Sequence, residues 1–261
     1  MVGLDNLVCE SRTMTATLVL PVLNEIEGLK AIVPRLPVVD QIIVLDGGST
    51  DGSLEWCLHQ GLDIYVQRQR GLRLGLIEVW PKVRGDVMVT FAPDGNDDPA
   101  RITPLLNLMR MCPDVDMAIV SRYLDGGRSE DDTPLTRAAN WLLTRMINER
   151  FGGAYTDALP LFRAYRRELP DQLGILKERS PRWERMIGRW ISWEPMLSIR
   201  AAKAGCVVRE IAGKEYARIG HGRPGWLLPE SRISHVKCGV AFLYLIAEES
   251  RGHESFHAGP P

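Results

Sequence analysis

Two short apolar runs near the start of the chain each stop abruptly in polar residues: residues 18–25 (LVLPVLNE) and residues 42–53 (IIVLDGGSTDGS). A continuous apolar run of four or five residues, bounded by turn residues, suits a strand buried on both faces of a parallel sheet. In an open α/β sheet, ligands bind in the crevice outside the carboxyl ends of the strands. The pattern therefore predicts a crevice lined by Asn24, Glu25, Asp46, Ser49 and Asp51. Carboxylates and hydroxyls at that place accept hydrogen bonds from sugar hydroxyls or ring N–H groups. The turn reads Asp-Gly-Gly-Ser and lacks the GxGxxG pattern that seats a dinucleotide pyrophosphate on a helix N-terminus.

The rest of the first half repeats the alternation. Strands are expected at residues 17–20, 41–45, 63–65, 87–91 and 117–120, with helices at 27–36, 53–59, 74–83 and 99–111 between them. Strands alternating with helices of about ten residues imply βαβ units and a mostly parallel sheet. Ser53 or Asp51 is a candidate cap for the second helix, and Asp98 followed by Pro99 starts the fourth. The second half reads differently. A long helix is expected over 136–151, a short strand at 161–165, a helix over 194–204 stopped by Gly205, and a strand at 206–211. Residues 218–229 are rich in Gly and Pro and read as a functional loop. A final, largely apolar helix is expected over 236–249, docked on the core. The organisation predicted is one domain over residues 1–248 with a frayed tail over 249–261.

Bulk composition narrows the classes. The chain has 261 residues, 45% apolar and 25% charged, with a formal net charge of −1; that balance gives no electrostatic case for a nucleic-acid partner. Five cysteines are scattered without CxxC spacing, which reads as reduced thiols in a cytoplasmic protein. Residues 1–15 hold no long apolar core and do not read as a secretory leader. The longest apolar candidate, residues 238–247, falls short of the roughly 18 residues a bilayer span requires, leaving peripheral contact with the inner face of a membrane as the only membrane role expected. A homo-oligomer is compatible with the chain.

A third strand end, residues 91–99 (FAPDGNDDP), carries three aspartates and an asparagine. Hard cations such as magnesium or manganese take oxygen ligands from one or two carboxylates plus substrate phosphates. Asp94 and Asn96, two apart, would face one crevice in an extended segment; Asp97 and Asp98 also fit an Asx-turn followed by a helix cap.

The order of these motifs resembles the family-2 glycosyltransferases of the GT-A fold, and within them the polyprenyl-phosphate (dolichyl-phosphate) mannose or glucose synthase-like group. The resemblance runs from about Thr17 to about Arg223, through PVLNE at residues 21–25, DGGSTDGS at 46–53, GD at 85–86, PDGNDDP at 93–99, SRY at 121–123 with Gly126 and Gly127, and TD through FRAYRRE over 156–168. It implies a Rossmann-like GT-A domain that moves a sugar, with inversion, from a GDP- or UDP-linked donor to an acceptor. Pro21, Asn24, Glu25, Asp46, Ser49 and Asp51 would line the nucleoside. The family's DxD motif falls on residues 92–94, so its first aspartate is replaced by Ala92, and Asp94 with Asn96 would hold the divalent cation weakly. Arg218 and Arg223 resemble the loop that closes on the donor diphosphate. Glu194, six residues before Arg200 and eleven before Gly205, matches the spacing of the general base in inverting relatives; Asp157 is the next carboxylate.

A sugar hydroxyl needs such a base, whereas a phosphate acceptor is already ionised and needs cations. Arg122, Arg137 and Arg163 are the candidates for an acceptor phosphate. Lipid-phosphate relatives carry a further Arg at the position of Asp132, inside the acidic run Glu130, Asp131 and Asp132. The acceptor is therefore read as polyprenyl phosphate or, alternatively, a small hydroxylated or antibiotic-type molecule. A non-catalytic nucleotide-sugar-binding protein is the rival from another class.

Overall fold

The computed structural model describes residues 14–176, 193–220 and 232–251, the last stretch without side chains up to residue 238. In chain order the elements are β1 (Ala16–Val22), α1 (Ile26–Ile32), β2 (Gln41–Asp46), α2 (Ser53–His59), β3 (Asp63–Val66), α3 (Leu72–Val79), β4 (Val87–Thr90), α4 (Ile102–Met111), β5 (Met117–Ser121), β6 (Arg128–Ser129), α5 (Pro134–Phe151), β7 (Arg163–Arg166), α6 (Leu169–Gln172), α7 (Trp193–Lys203), β8 (Val208–Ala212), β9 (Lys214–Glu215) and α8 (Arg232–Arg251). Seven strands form one sheet in the order β3-β2-β1-β4-β7-β5-β8. All run parallel except β7, which lies antiparallel between β4 and β5. The mostly parallel α/β architecture anticipated from the alternation is present.

Both faces of the sheet are covered, as fully apolar strands require. Leu18, Leu20 and Val44 pack with Leu29, Ile32, Cys57, Leu105 and Met109 from α1, α2 and α4. On the other face Val19, Ile43 and Met117 pack with Leu76, Leu143, Ile147, Met196 and Leu245 from α3, α5, α7 and α8.

Element boundaries depart from the sequence pattern where caps decide them. The first and third helices tighten into 3₁₀ turns at Val33–Arg35 and Trp80–Lys82, each carrying a Pro that removes a donor from the α-ladder. The fourth opens with a 3₁₀ turn at Pro99–Arg101 whose cap is Asp98, accepting from the Ala100 N–H at 3.1 Å. Neither Ser53 nor Asp51 caps α2; Gly52 holds that position. The long helix starts two residues early because Thr133 and Thr136 form a reciprocal capping box with Pro134 at the first position. The last helix runs on to Arg251, past the expected start of the tail. Glu249 is buried there, clamped by Arg200 Nε at 2.8 Å and Lys203 Nζ at 3.1 Å. The Gly85–Asp86 motif lies at the amino ends of the strands, where the Asp86 carboxylate accepts from the Thr15 N–H and Oγ1. It sets the start of β4 against β1 and stands away from the carboxyl-end crevice.

Candidate functional site

The carboxyl ends of β1, β2 and β4 lead into three polar turns that interlock. Asn24, just past β1, has φ 58°, a left-handed conformation that Asn tolerates better than most residues. Its N–H donates to Ser49 Oγ at 2.9 Å, and its Oδ1 accepts from the Thr50 N–H at 2.8 Å. Asp51 accepts from the Ile26 N–H at 3.0 Å and from Ser53 Oγ at 2.6 Å, while Ser53 Oγ accepts from the Glu25 N–H at 3.1 Å. Asp46 is buried, and its carboxylate accepts from the N–H groups of Gly48 at 2.9 Å and Ser49 at 3.1 Å. Asn24, Asp46, Ser49 and Asp51 thus build the turn first. Pro21 is buried in β1, beyond the last residue that β4 pairs with, where a missing N–H leaves no gap in that ladder.

Glu25 differs from its neighbours. The residue is 7% exposed, and among the described residues no side chain of the turn is spent on its carboxyl as Ser49 and Ser53 are on the neighbouring backbone N–H groups. Burial first, then the nearby Asp94 carboxylate, push its pKa up to about 8, with Arg218 opposing. α1 brings it there through Gly28: a Cβ on Gly28 would lie 2.2 Å from the Pro93 carbonyl oxygen. Only glycine lets the helix approach the 93–94 backbone so closely. Gly28 is a site-shaping residue beyond those the motifs mark, and its one local signal is a glycine in the first helical turn after β1.

The third turn is covered by a strap from the far end of the chain. β9 pairs with β6, Glu215 bridges to Asp97, and the strap then runs along residues 94–96. The Tyr216 N–H donates to the Asn96 carbonyl and Asn96 Nδ2 to the Tyr216 carbonyl, both at 2.6 Å; the Ile219 N–H donates to the Asp94 carbonyl at 2.8 Å. This ladder places Arg218 over the two candidate metal ligands. Its Nη1 donates to Asp94 Oδ2 at 2.5 Å, its Nη2 to Asn96 Oδ1 at 3.4 Å and its Nε to Asp131 Oδ2 at 3.5 Å. Burial pushes Asp94 up from the usual carboxylate range, against the pull of Arg218. Asp97 is held at about 8 by burial and by the Glu215 and Asp94 carboxylates.

Two side-chain oxygens, one carboxylate and one amide, therefore converge on one cation. No group of three or more His, Cys, Asp or Glu among the described residues is gathered to hold a metal unaided. That set fits a hard divalent ion only when a bound diphosphate completes the shell.

The predicted acceptor and catalytic residues separate. Arg122 and Asp157 form a bidentate pair, Nε to Oδ2 at 2.7 Å and Nη2 to Oδ1 at 3.1 Å, with Arg122 Nη1 also 3.5 Å from Glu215. Asp157 is fully buried, and both of its carboxylate oxygens are engaged by the guanidinium. Arg163 is buried without access to the crevice. It donates to the backbone carbonyls of Ala158, Pro160 and Glu194 and to Ser198 Oγ, and burial depresses its pKa. Arg137 is exposed on α5. Arg223 lies outside the described residues. Glu194 opens α7, nine-tenths buried, and its Oε1 has no hydrogen-bond partner among the described residues. Burial raises its pKa, Arg163 opposing.

Asp131 and Asp132 of the acidic run are engaged inside the protein, while Glu130 stays exposed. Asp131 meets Arg218, and Asp132 accepts from Tyr123 Oη and from Thr136 Oγ1. Glu130 pairs with Arg128.

The family profile described as Glycosyl transferase family 2 matches residues 17–174, more than half of the chain. Among curated proteins, the undecaprenyl-phosphate 4-deoxy-4-formamido-L-arabinose transferase of Yersinia pestis (strain Pestoides F) is 26% identical over 178 residues, covering 63% of this chain and 52% of that protein. The protein of the same name from Pseudomonas fluorescens (strain SBW25) is 26% identical, with 50% of its length covered. The chain spans about half the length of these relatives. Among solved structures, glucosyl-3-phosphoglycerate synthase from Mycobacterium tuberculosis, in complex with Mn2+, UDP and glucosyl-3-phosphoglycerate, superposes with TM-score 0.58 at 19% identity, covering 90% of this chain and 80% of that one. Mannosyl-3-phosphoglycerate synthase from Rubrobacter xylanophilus gives TM-score 0.57 at 18% identity, covering 95% and 79%. At these identities the structures share the GT-A fold.

Proposed function

From a chain that belongs to glycosyl transferase family 2, we propose an enzyme that transfers a sugar from a nucleoside-diphosphate sugar, UDP- or GDP-linked, to an acceptor. The observation that carries the reading is the convergence of Glu25, Asp94, Asn96 and Arg218 at the carboxyl ends of parallel strands, the place where open α/β sheets take nucleotides. In this reading the turn built by Pro21, Asn24, Asp46, Ser49 and Asp51 receives the nucleoside, and Arg218 with Arg223 meets the diphosphate. Asp94 and Asn96 would hold a divalent cation, magnesium or manganese, which when bound offsets the charge of the departing diphosphate. The Mn2+ and UDP named with the structural neighbour support a metal-assisted nucleotide site.

Polyprenyl phosphate is the acceptor that the sequence relatives favour, since their names specify undecaprenyl phosphate. A lipid-linked acceptor would bring the chain to a membrane surface. No helix among the described residues is long and apolar enough to cross a membrane. Leu135, Trp141 and Leu142 on α5, with Leu243 and Tyr244 on α8, are exposed apolar side chains available for peripheral contact.

One observation favours the second acceptor class, a small hydroxylated molecule. Arg122 and Arg163 already spend their N–H groups inside the protein, whereas Glu194 keeps a buried oxygen without a partner among the described residues. A hydroxyl nucleophile needs a carboxylate to take its proton, and Glu194 is the carboxylate left uncommitted for that role.

The test is a donor screen followed by an acceptor comparison. UDP- and GDP-sugars should raise the melting temperature, and one of them should be turned over with undecaprenyl phosphate. No stabilisation by any nucleoside diphosphate or nucleotide sugar, with no donor turnover, would overturn the reading.

A further inference from the structure

We propose that Arg218 is the built-in counter-ion of Asp94 and Asn96, so that the free enzyme excludes a divalent cation until an anionic nucleotide draws the guanidinium away. The inference rests on the donor and metal reading above and deepens it: it sets an order, nucleotide first and metal second.

The geometry leaves room for one cation. Nη1 and Nη2 of Arg218 lie 2.5 Å from Asp94 Oδ2 and 3.4 Å from Asn96 Oδ1, the two oxygens a metal would use. Asp94 is buried, so a guanidinium and a divalent ion at that carboxylate would repel in a poorly screened setting. Asp131 gives the guanidinium a third hold through Nε at 3.5 Å. A divalent ion alone must break all of these contacts and offers the displaced Arg218 nothing in return. A diphosphate offers it a stronger, bidentate partner and at the same time supplies the oxygens that complete the metal shell.

The strap keeps this exchange local. The Tyr216–Asn96 and Ile219–Asp94 backbone bonds do not involve the Arg218 side chain. A Cβ on Gly95 would sit 2.5 Å from Ile219 Cγ1, so the strap rests directly on the turn. Arg218 can therefore rotate from carboxylate to diphosphate while the backbone beneath it stays in register.

Manganese binding to the whole protein, followed by electron paramagnetic resonance, tests the order without any turnover. Wild type should bind Mn2+ weakly alone and at least tenfold more tightly with UDP or GDP present. Arg218→Gln should bind Mn2+ at least tenfold more tightly than wild type without nucleotide, and Asp94→Asn should bind none at the site. Asp131→Asn, which removes one hold on Arg218 and keeps the Asp94 carboxylate itself, should fall between wild type and Arg218→Gln and covers the case in which Arg218→Gln misfolds. Equal nucleotide-free Mn2+ affinity in wild type, Arg218→Gln and Asp131→Asn overturns the counter-ion role while leaving the donor site standing. Absence of Mn2+ binding in all of them, even with nucleotide, overturns the metal reading itself and the inference with it.

Discussion

Replacing Arg122 by Met removes one half of an ion pair that water barely reaches. Asp157 is fully buried and Arg122 nearly so. Two N–H donors grip both carboxylate oxygens at 2.7 and 3.1 Å, and the third nitrogen faces Glu215. Burial works against the charge on Arg122, and Asp157 and Glu215 more than restore it, holding the guanidinium well above its ordinary range. The variant keeps the bulk of the stem and strands two carboxylates. Breaking a buried pair from one side costs about 3–5 kcal/mol. At about 2–4 °C per kcal/mol for a domain of this size class, the melting temperature should fall by roughly 6–20 °C. Urea unfolding followed by tryptophan fluorescence gives the free energy, and calorimetry the midpoint. Asp157→Asn in the same background should return part of the loss, because the more buried of the two stranded charges goes with it. The structural argument fails if Arg122→Met costs less than about 1 kcal/mol, the level of an exposed pair. It fails equally if the variant keeps its stability and loses only affinity for an acceptor phosphate, since Arg122 would then be a clamp in the crevice.

Three further outcomes follow from the crevice. Glu25→Gln should stabilise the nucleotide-free protein increasingly as pH rises from about 5 to 9. A carboxyl raised to about 8 in the fold favours the folded state when protonated, and wild type loses that contribution as pH rises from the unfolded value near 4.5 to about 8; a pH-independent gap in urea midpoints would contradict the burial argument. Gly28→Val should cost roughly 1–3 kcal/mol through overpacking against the Pro93 carbonyl and should weaken nucleotide-induced thermal stabilisation, whereas an unchanged response would show that the 93–94 turn yields freely. Glu194→Gln should lower turnover about 100-fold or more on a hydroxyl acceptor, the scale of a general base, with donor binding intact, but should change turnover on a lipid phosphate only a few-fold.

The sequence alone was enough for the elements whose cause is local. Apolar runs of strand length, helix-length stretches between them and polar strand ends are short-range patterns, and they reproduce the parallel α/β layout and the order β1 to β5. Asp98 was legible as a cap because capping depends on a few adjacent residues. The polar residues of the first two turns were legible as a group for the same reason. Tertiary structure decided everything that depends on residues far apart in the chain. Nothing local marks β7 as the antiparallel strand between β4 and β5, nor turns Arg163 inward to backbone carbonyls. Arg122 finds Asp157 across 35 residues, a pairing that neither charge nor motif position announces. Arg218 reaches Asp94 across 124 residues, because the two-stranded β6–β9 ribbon returns the chain to the turn after β4. Periodicity and motifs report which face a residue presents and which chemistry it carries. Which opposite charge it meets is set by topology and by the cost of leaving a buried charge unpaired, and that cost is settled only when distant segments pack together.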